Sequence, residues 1–254
     1  AGVYRSENGG TRFELLNNGL PTDYEGKTRL AMSPDNPQVT YASVADVFSS
    51  VGLFKSTNGG DSWSRVDNED VAKWQGWYSH DVAADPTDVN TVINVGIDVH
   101  KSTTGGTNLV QKTSWSLWFF GDVPAGEPEG PPNYVHADIH AVYYHPAAAE
   151  KVFVATDGGI FASEDGGDTW SGRNGGYQTA QFYANFGNST TDPNFALGGM
   201  QDNSTAIYKG TTDWIRVLGG DGMSAAIDPS DDRYVYGSAQ YLNLFRSSDR
   251  GQNF

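Results

Sequence analysis

The sequence predicts an all-β chain built from repeated four-stranded antiparallel units. One observation behind this prediction is a polar turn around glycine, which we call the glycine box. The box follows a short apolar run and usually closes on an aromatic residue. Its copies read SENGGTRF at 6–13, STNGGDSW at 56–63, STTGG at 102–106, SEDGGDTW at 163–170 and SSDRGQNF at 247–254. Asp or Asn next to Gly favours a hairpin turn because both residue types tolerate positive φ.

A second recurring phrase sets the order of the strands. It is an apolar run that ends at proline and is followed by a polar turn and another apolar run. Its copies lie at 30–34, 82–86, 142–146, 191–193 and 225–229. Proline ends a strand because it cannot donate to the ladder. Each unit therefore has one strand ending at Pro, a second after the turn, a third entering the box and a fourth leaving it.

The spacing of the boxes gives the size of the unit. At roughly 40–60 residues it suits one four-stranded blade of a β-propeller. We expect a single propeller domain, or a fragment of one, over residues 1–254, with an insertion at 115–133. The predicted blades lie at 26–66, 78–114, 137–173 and 180–218, with partial blades at 1–17 and 223–254. The mismatched partial blades favour about five to six blades of a larger propeller, of about seven or eight, over a complete small one.

Composition excludes several classes of partner. The formal net charge of −15 argues against nucleic acid and anionic lipid, and suits cations, neutral sugars or basic partners. The chain has no cysteine, so we expect neither disulfides nor a thiolate zinc site. No stretch approaches the ~20 apolar residues of a membrane span. The first residues lack the features of a signal peptide, so any export signal would have been removed or lie outside this chain.

The box at 163–170 resembles the Asp-box, or bacterial neuraminidase repeat, and the further copies make the match specific. That family includes sialidases, xyloglucanase-type glycoside hydrolases and the sortilin luminal domain, all of them propellers. The segments 136–140, 156–159, 201–203 and 219–222 are similar to large secreted Asp-box proteins of Bacteroidetes-type bacteria, which are often exported by the type IX route. The resemblance implies a secreted or cell-surface bacterial propeller in which the box is structural.

The resemblance also implies that ligands bind at the blade ends opposite the boxes, around the mouth of a central channel. Turns between second and third strands carry Asp46, Asp98, Asp157, Gln201, Asp202 and Tyr241. Further polar and aromatic residues lie at, or just before, the start of the first strand of a unit. They are Trp74, Trp77, Tyr78, His80, Asp81, His136, Asp138, His140 and Asp221. With Trp118 in the insertion, these residues other than Asp46 form the predicted set, in which Asp138 and Asp157 are the catalytic candidates and the others bind substrate.

Hydrolysis of a glycosidic bond is the first chemistry that this set could perform, since it needs two carboxylates. Xyloglucanase-type enzymes have a catalytic Asp in a Thr-Asp-x-Gly-Gly turn, and Asp157 occupies the similar place. Its predicted partner is Asp138, with Asp81 and Asp221 as further candidates. The alternative is that Asp157 only caps the glycines that follow it.

Metal binding and plain carbohydrate binding remain open as well. If 136–140 is extended, His136, Asp138 and His140 share one face and suit a divalent metal, although a polar ladder hydrogen-bonded to neighbouring blades is the favoured explanation. Calcium held by carboxylates and turn carbonyls is a variant, and we expect no required cofactor. Tryptophans 74, 77, 115 and 118, with Tyr134, could instead stack on a glycan that is not cleaved. The competing class is a non-catalytic scaffold, adhesion or protein-binding module, whose partner would be a protein or the remaining propeller blades.

Overall fold

The computed structural model describes residues 2–118, 121–123, 129–174 and 180–254. In that part lie 22 strands and two short 3-10 helices, Trp115–Leu117 and Gln240–Leu242. No described helix has the length and apolarity needed to cross a membrane. The predicted fold class, an all-β chain of four-stranded antiparallel propeller blades, is confirmed. The chain forms two compact units, Ala1–Trp115 with Pro131–Ser171, and Ser116–Gly130 with Gly172–Phe254.

The first unit holds four sheets in chain order. The first sheet pairs β1 (Val3–Arg5) with β2 (Glu14–Leu16). The second comprises β3 (Thr28–Met32), β4 (Thr40–Ala45), β5 (Ser50–Ser56) and β6 (Ser64–Asp67). The third comprises β7 (Asp81–Ala84), β8 (Val92–Val95), β9 (Val99–Ser102) and β10 (Val110–Gln111). The fourth comprises β12 (Ile139–His145), β13 (Ala148–Thr156), β14 (Gly159–Ser163) and β15 (Ser171–Gly172).

The second unit holds two sheets. The larger contains β16 (Phe182–Asn188), β17 (Ala196–Met200), β18 (Thr205–Tyr208) and β19 (Trp214–Leu218). The smaller contains β20 (Ala225–Ile227), β21 (Val235–Ala239) and β22 (Asn243–Ser247). Part of the predicted insertion, β11 (Gly121–Val123), adds a fifth strand to the larger sheet by pairing antiparallel with β19. Residues 119–120 and 124–128 of the insertion lie outside the described part.

The glycine boxes share one hydrogen-bond pattern, which explains why the sequence repeats. In each box a serine Oγ accepts the backbone N–H of the glycine four residues later, at 2.8–3.2 Å. The pairs are Ser6 with Gly10, Ser56 with Gly60, Ser102 with Gly106, Ser163 with Gly167, and Ser247 with Gly251. Each glycine, and the residue before it, has positive φ. Each box therefore satisfies a backbone N–H of its own turn, which accounts for the recurring serine and glycine.

The hydrophobic core of the first unit lies between neighbouring sheets. Tyr41 and Leu53 of the second sheet pack with Val82 and Val92 of the third. The same stacking occurs in the second unit, where Leu197 and Ile207 pack with β20 and β21. Within each unit, neighbouring sheets therefore bury faces against one another, as expected of repeats that cannot bury both faces alone.

Candidate functional site

Asp157 lies in the turn between β13 and β14, as predicted, and both of its carboxylate oxygens accept hydrogen bonds. The Tyr78 hydroxyl donates to Oδ2 at 3.0 Å, and His140 Nε2 lies 2.8 Å from Oδ1. Because an ionised carboxylate only accepts, His140 carries its proton on Nε2 in this pair. The rings of Tyr78 and His140 meet edge to face, with centroids 4.7 Å apart. Three residues of the predicted set therefore contact one another.

Asp138 is the second carboxylate of this site. One of its oxygens lies within 4.8 Å of an oxygen of Asp157. Its backbone is left-handed, with φ at +64°, and β12 begins only at the next residue. The extended segment expected through 136–140 is thus interrupted. We call Tyr78, Asp138, His140 and Asp157 together the Asp157 site.

His136 is buried beneath the turn that carries Asp157. Its Nδ1 lies 3.0 Å from the carbonyl oxygen of Ala137. A Cβ at Gly158 would lie only 2.3 Å from atoms of the His136 ring, so this close approach requires glycine. The alternation that would align His136 with Asp138 and His140 is lost at the left-handed Asp138. In the described part of the first unit, Asp138 and Asp157 bring carboxylate oxygens together, and such oxygens are the ligands that Ca²⁺ takes.

An exposed aromatic surface lies next to Tyr78 in sequence. The backbone N–H of Trp74 donates to the Phe48 carbonyl at 2.6 Å, and the backbone N–H of Trp77 donates to the Val47 carbonyl at 3.1 Å. These bonds tie the loop before β7 to the β4–β5 turn, and the side chains of Phe48, Trp74 and Trp77 are exposed. The Trp77 ring also contacts the Tyr78 ring, at 5.1 Å between centroids. Sequence reasoning missed Phe48, whose only signal was its place in a predicted ligand-side turn.

Two predicted residues at the start of β7 are placed to support the fold. His80 is fully buried, and burial, with the nearby Lys27 and Arg29, lowers its pKa to about 4. Its Nδ1 lies 3.2 Å from Ser43 Oγ. Asp81 Oδ2 accepts the Val142 backbone N–H at 3.0 Å, which links the third sheet to the fourth. Burial raises the pKa of Asp81.

Asp98 is also buried and anchors the start of the insertion. Its Oδ1 accepts the Trp115 backbone N–H at 2.9 Å and the Thr113 hydroxyl at 3.3 Å, and its Oδ2 accepts the Gln111 amide at 3.0 Å. Burial raises the pKa of Asp98 to about 6, against these hydrogen bonds and the charge of Lys73. The Asp98 carboxylate therefore links the turn after β8 to the end of the third sheet and to the segment that follows it.

The raised pKa of Asp98 predicts a specific pH dependence of stability. Between the ordinary Asp pKa of about 3.9 and the folded pKa of about 6, the folded state binds more protons than the unfolded state. The stability of the wild type relative to Asp98→Asn should therefore fall, by about 2 kcal/mol, as pH rises from 4 to 7. Urea unfolding of both proteins across that range measures the difference. If the stability of the wild type relative to Asp98→Asn rose with pH instead, the raised pKa of Asp98 would be contradicted.

The remaining predicted residues fall in the second unit, apart from Tyr134. Asp202 has φ at +57°, and its N–H donates to Asp221 Oδ1 at 2.8 Å. The Gln201 N–H donates to the Gln181 carbonyl at 2.9 Å. Tyr241 is exposed, and Trp118 stacks on Arg216 with 4.4 Å between Arg216 Cζ and the ring centroid. Tyr134, in the first unit, is buried against Phe161, as core aromatics usually are.

The repeated sheets define the class of protein, an all-β chain of antiparallel propeller blades. No family model matches the chain, and no curated protein matches it. Solved structures similar to it include the GH74 xyloglucanase from Xanthomonas campestris and the GH74 enzyme of Niastella koreensis. Each is 17% identical, covers 89% of this chain and 37% of its own, and has a TM-score of 0.42.

YCF48 from Cyanidioschyzon merolae is also similar, at 14% identity and a TM-score of 0.42, with 99% of this chain and 76% of that chain covered. These neighbours are β-propeller proteins. The chain spans about a third of the length of the GH74 enzymes, whose matched share is 37% in the two named above. The resemblance to the Asp-box family stays a prediction from the sequence.

Proposed function

We propose that this protein binds a polysaccharide at the Asp157 site and hydrolyses a glycosidic bond there. The observation that carries the proposal is the pair of carboxylates, Asp138 and Asp157, with oxygens within 4.8 Å. Glycosidases that retain anomeric configuration hold their carboxyl groups about 5–5.5 Å apart, and inverting enzymes about 6.5–9.5 Å. Because the oxygens lie within 4.8 Å of one another, we assign the retaining reaction, which uses the closer of the two spacings.

Each carboxylate has a defined role in that reaction. Tyr78 and His140 orient the Asp157 carboxylate, which attacks the anomeric carbon and forms a glycosyl ester. The leaving oxygen takes a proton from the Asp138 carboxyl as the glycosidic bond breaks. Water then attacks the ester and gives its proton to the Asp138 carboxylate, which releases the sugar and restores both groups. The assignment of the nucleophile rests on the two hydrogen bonds that fix Asp157.

The exposed aromatic rings beside Tyr78 supply binding in this proposal. Flat indole faces bury the apolar faces of sugar rings without requiring a charge on the ligand. The formal net charge of −15 is compatible with a neutral glycan. We place the protein outside the cell, secreted or at the surface, where polysaccharides are met.

A second candidate is a binding module that does not cleave its ligand. It is favoured by the two hydrogen bonds that the Asp157 carboxylate already accepts, one on each oxygen, from Tyr78 and His140. A carboxylate held in this way also serves to lock the turn below a binding surface. The two candidates differ in turnover, while both require the face around Tyr78 and Trp77.

Replacing Asp157 with Asn tests the hydrolysis. Against a panel of plant and algal polysaccharides, the variant should lose at least about a hundredfold in turnover, the usual contribution of a positioned carboxylate. Asp46→Asn is the matched control, because Asp46 holds the equivalent β4–β5 turn and accepts the backbone N–H groups of Glu25 and Val47. Reducing-end release measures turnover, and NMR of the first product anomer reports the stereochemistry.

Three outcomes decide between the candidates. Unchanged turnover in Asp157→Asn removes Asp157 from the mechanism, and an inverted product removes the retaining assignment. Binding without any turnover in the wild type selects the non-catalytic module. In either case Trp77→Ala should weaken binding, which affinity electrophoresis in polysaccharide gels would detect.

A further inference from the structure

Arg216 is an unusual cation because it is buried inside the second unit. It lies in the middle of β19 and is only 7% exposed, the one arginine or lysine below a tenth among the described residues. A buried charge is costly unless it is paired and hydrogen-bonded. Arg233, by contrast, is exposed to solvent and forms an ion pair with Asp231 at 2.6 Å.

The hydrogen-bonding capacity of the Arg216 guanidinium is mostly unused. Its Nε is buried and has no acceptor among the described residues. Its Nη1 and Nη2 reach the Trp118 carbonyl and Asn203 Oδ1 only at 3.5 Å, which is the outer limit for a hydrogen bond. A guanidinium offers five donors in a rigid fork, and most of this fork lacks a close acceptor in the part of the chain that the structure describes.

The neighbours of Arg216 hold the guanidinium in place without neutralising it at close range. The Trp118 ring stacks on it, with the centroid 4.4 Å from Cζ. No carboxylate of the described residues lies within ion-pair distance of it. Glu129 is an acidic group with which Arg216 interacts electrostatically. The Asn174 amide donates to Glu129 Oε2 at 3.2 Å. Burial raises the pKa of Glu129 despite that bond and the charge of Arg216.

We propose that Arg216, with Trp118 and Asn203, forms a binding site for the carboxylate group of an acidic sugar. A carboxylate matches the planar fork of a guanidinium and accepts two parallel N–H bonds. The ring of Trp118 keeps one face of the fork covered, so a ligand must approach in its plane. A uronic acid carries this carboxylate on a sugar ring, and Asn203, whose Nδ2 donates to the Gln201 carbonyl at 3.1 Å, lies beside the guanidinium that would bind it.

Titration of the folded protein with sodium glucuronate tests the site directly. The Arg216 side-chain Nε–Hε signal, followed by ¹⁵N NMR, should shift saturably with glucuronate and remain unmoved with glucose. Arg216→Lys keeps the charge but loses the fork, so affinity should fall by roughly tenfold or more, as expected when charge-assisted hydrogen bonds are lost. Arg233→Lys is the matched control, because Arg233 lies in the same unit and is exposed with its own partner, Asp231.

The proposal is overturned by any of three results. These are no saturable shift, an equal response to glucose, or an unchanged affinity in Arg216→Lys that circular dichroism shows to be folded. If that lysine variant is unfolded, Asn203→Ala in the otherwise intact protein gives the decision, and unchanged glucuronate binding there overturns the site. None of these residues belongs to the Asp157 site, so Asp157→Asn should bind glucuronate normally and the two proposals fail independently.

Discussion

Replacing Phe161 with alanine should lower the free energy of unfolding by about 3–5 kcal/mol, the usual cost of removing a buried phenylalanine side chain. Phe161 is fully buried in β14, and its ring meets that of Tyr134 edge to face at 5.7 Å between centroids. Removing it leaves a cavity and also ends this aromatic contact. Urea unfolding with an unchanged m-value measures the loss.

Tyr143 provides the control within the same sheet. Its side chain in β12 is 64% exposed, so Tyr143→Ala should change stability by no more than about 0.5 kcal/mol. Similar losses in both variants would show that the fourth sheet does not depend on Phe161 for its packing. A loss in Phe161→Ala below about 1 kcal/mol would also contradict its place in the core.

The strand order within each sheet could be predicted because the signals for it are local. A proline, a glycine box and the apolar runs between them fix successive hairpins, and the turn chemistry is contained within a few residues. Even the box with Arg250 in place of a glycine forms the same turn, with φ at +60°. Ser247 and Gly251 keep the hydrogen bond that holds this turn, so the pattern survives the change.

The placement of β11 could not be predicted, because it depends on contact with a distant strand. Nothing near residue 121 in the sequence specifies β19, which begins at Trp214. The sequence predicted only an insertion at 115–133, whereas β11 within it pairs with β19 at a sheet edge. Pairing between remote strands is set by the surfaces left over once the local hairpins have formed.

In the candidate site, too, the features set by local sequence could be predicted and those set by distant contacts could not. The turn position of Asp157 followed from the repeat, and so did the place of His140 at the start of a first strand. The hydrogen bond from Tyr78, 79 positions away, required the stacking of neighbouring sheets and left no mark in the sequence. Burial of His80 and the left-handed backbone at Asp138 were missed for the same reason, since both follow from neighbouring segments.

Replacing Gly167 with alanine should destabilise the protein by about 2–5 kcal/mol, through two separable effects. Gly167 has φ at +95°, where an L-residue with a side chain is strained by about 1–2 kcal/mol. Its new Cβ would also lie 2.6 Å from Cδ1 of Ile93, a fully buried residue of the third sheet. Since Ile93 is fully buried, its side chain must shift within the core to accept the new Cβ, and this overpacking adds about 1–3 kcal/mol.

Gly10 isolates the first effect, because it holds the same position in the first box. Its φ is +86°, and the nearest atom to a new Cβ is the Phe13 Cζ at 4.0 Å. Gly10→Ala should therefore show the backbone strain alone, about 1–2 kcal/mol. Urea unfolding of both variants gives the difference, which measures how tightly the fourth sheet is packed on the third. Equal losses would mean that the box contributes only its turn, whereas a larger loss at Gly167 makes the same turn a contact between neighbouring sheets.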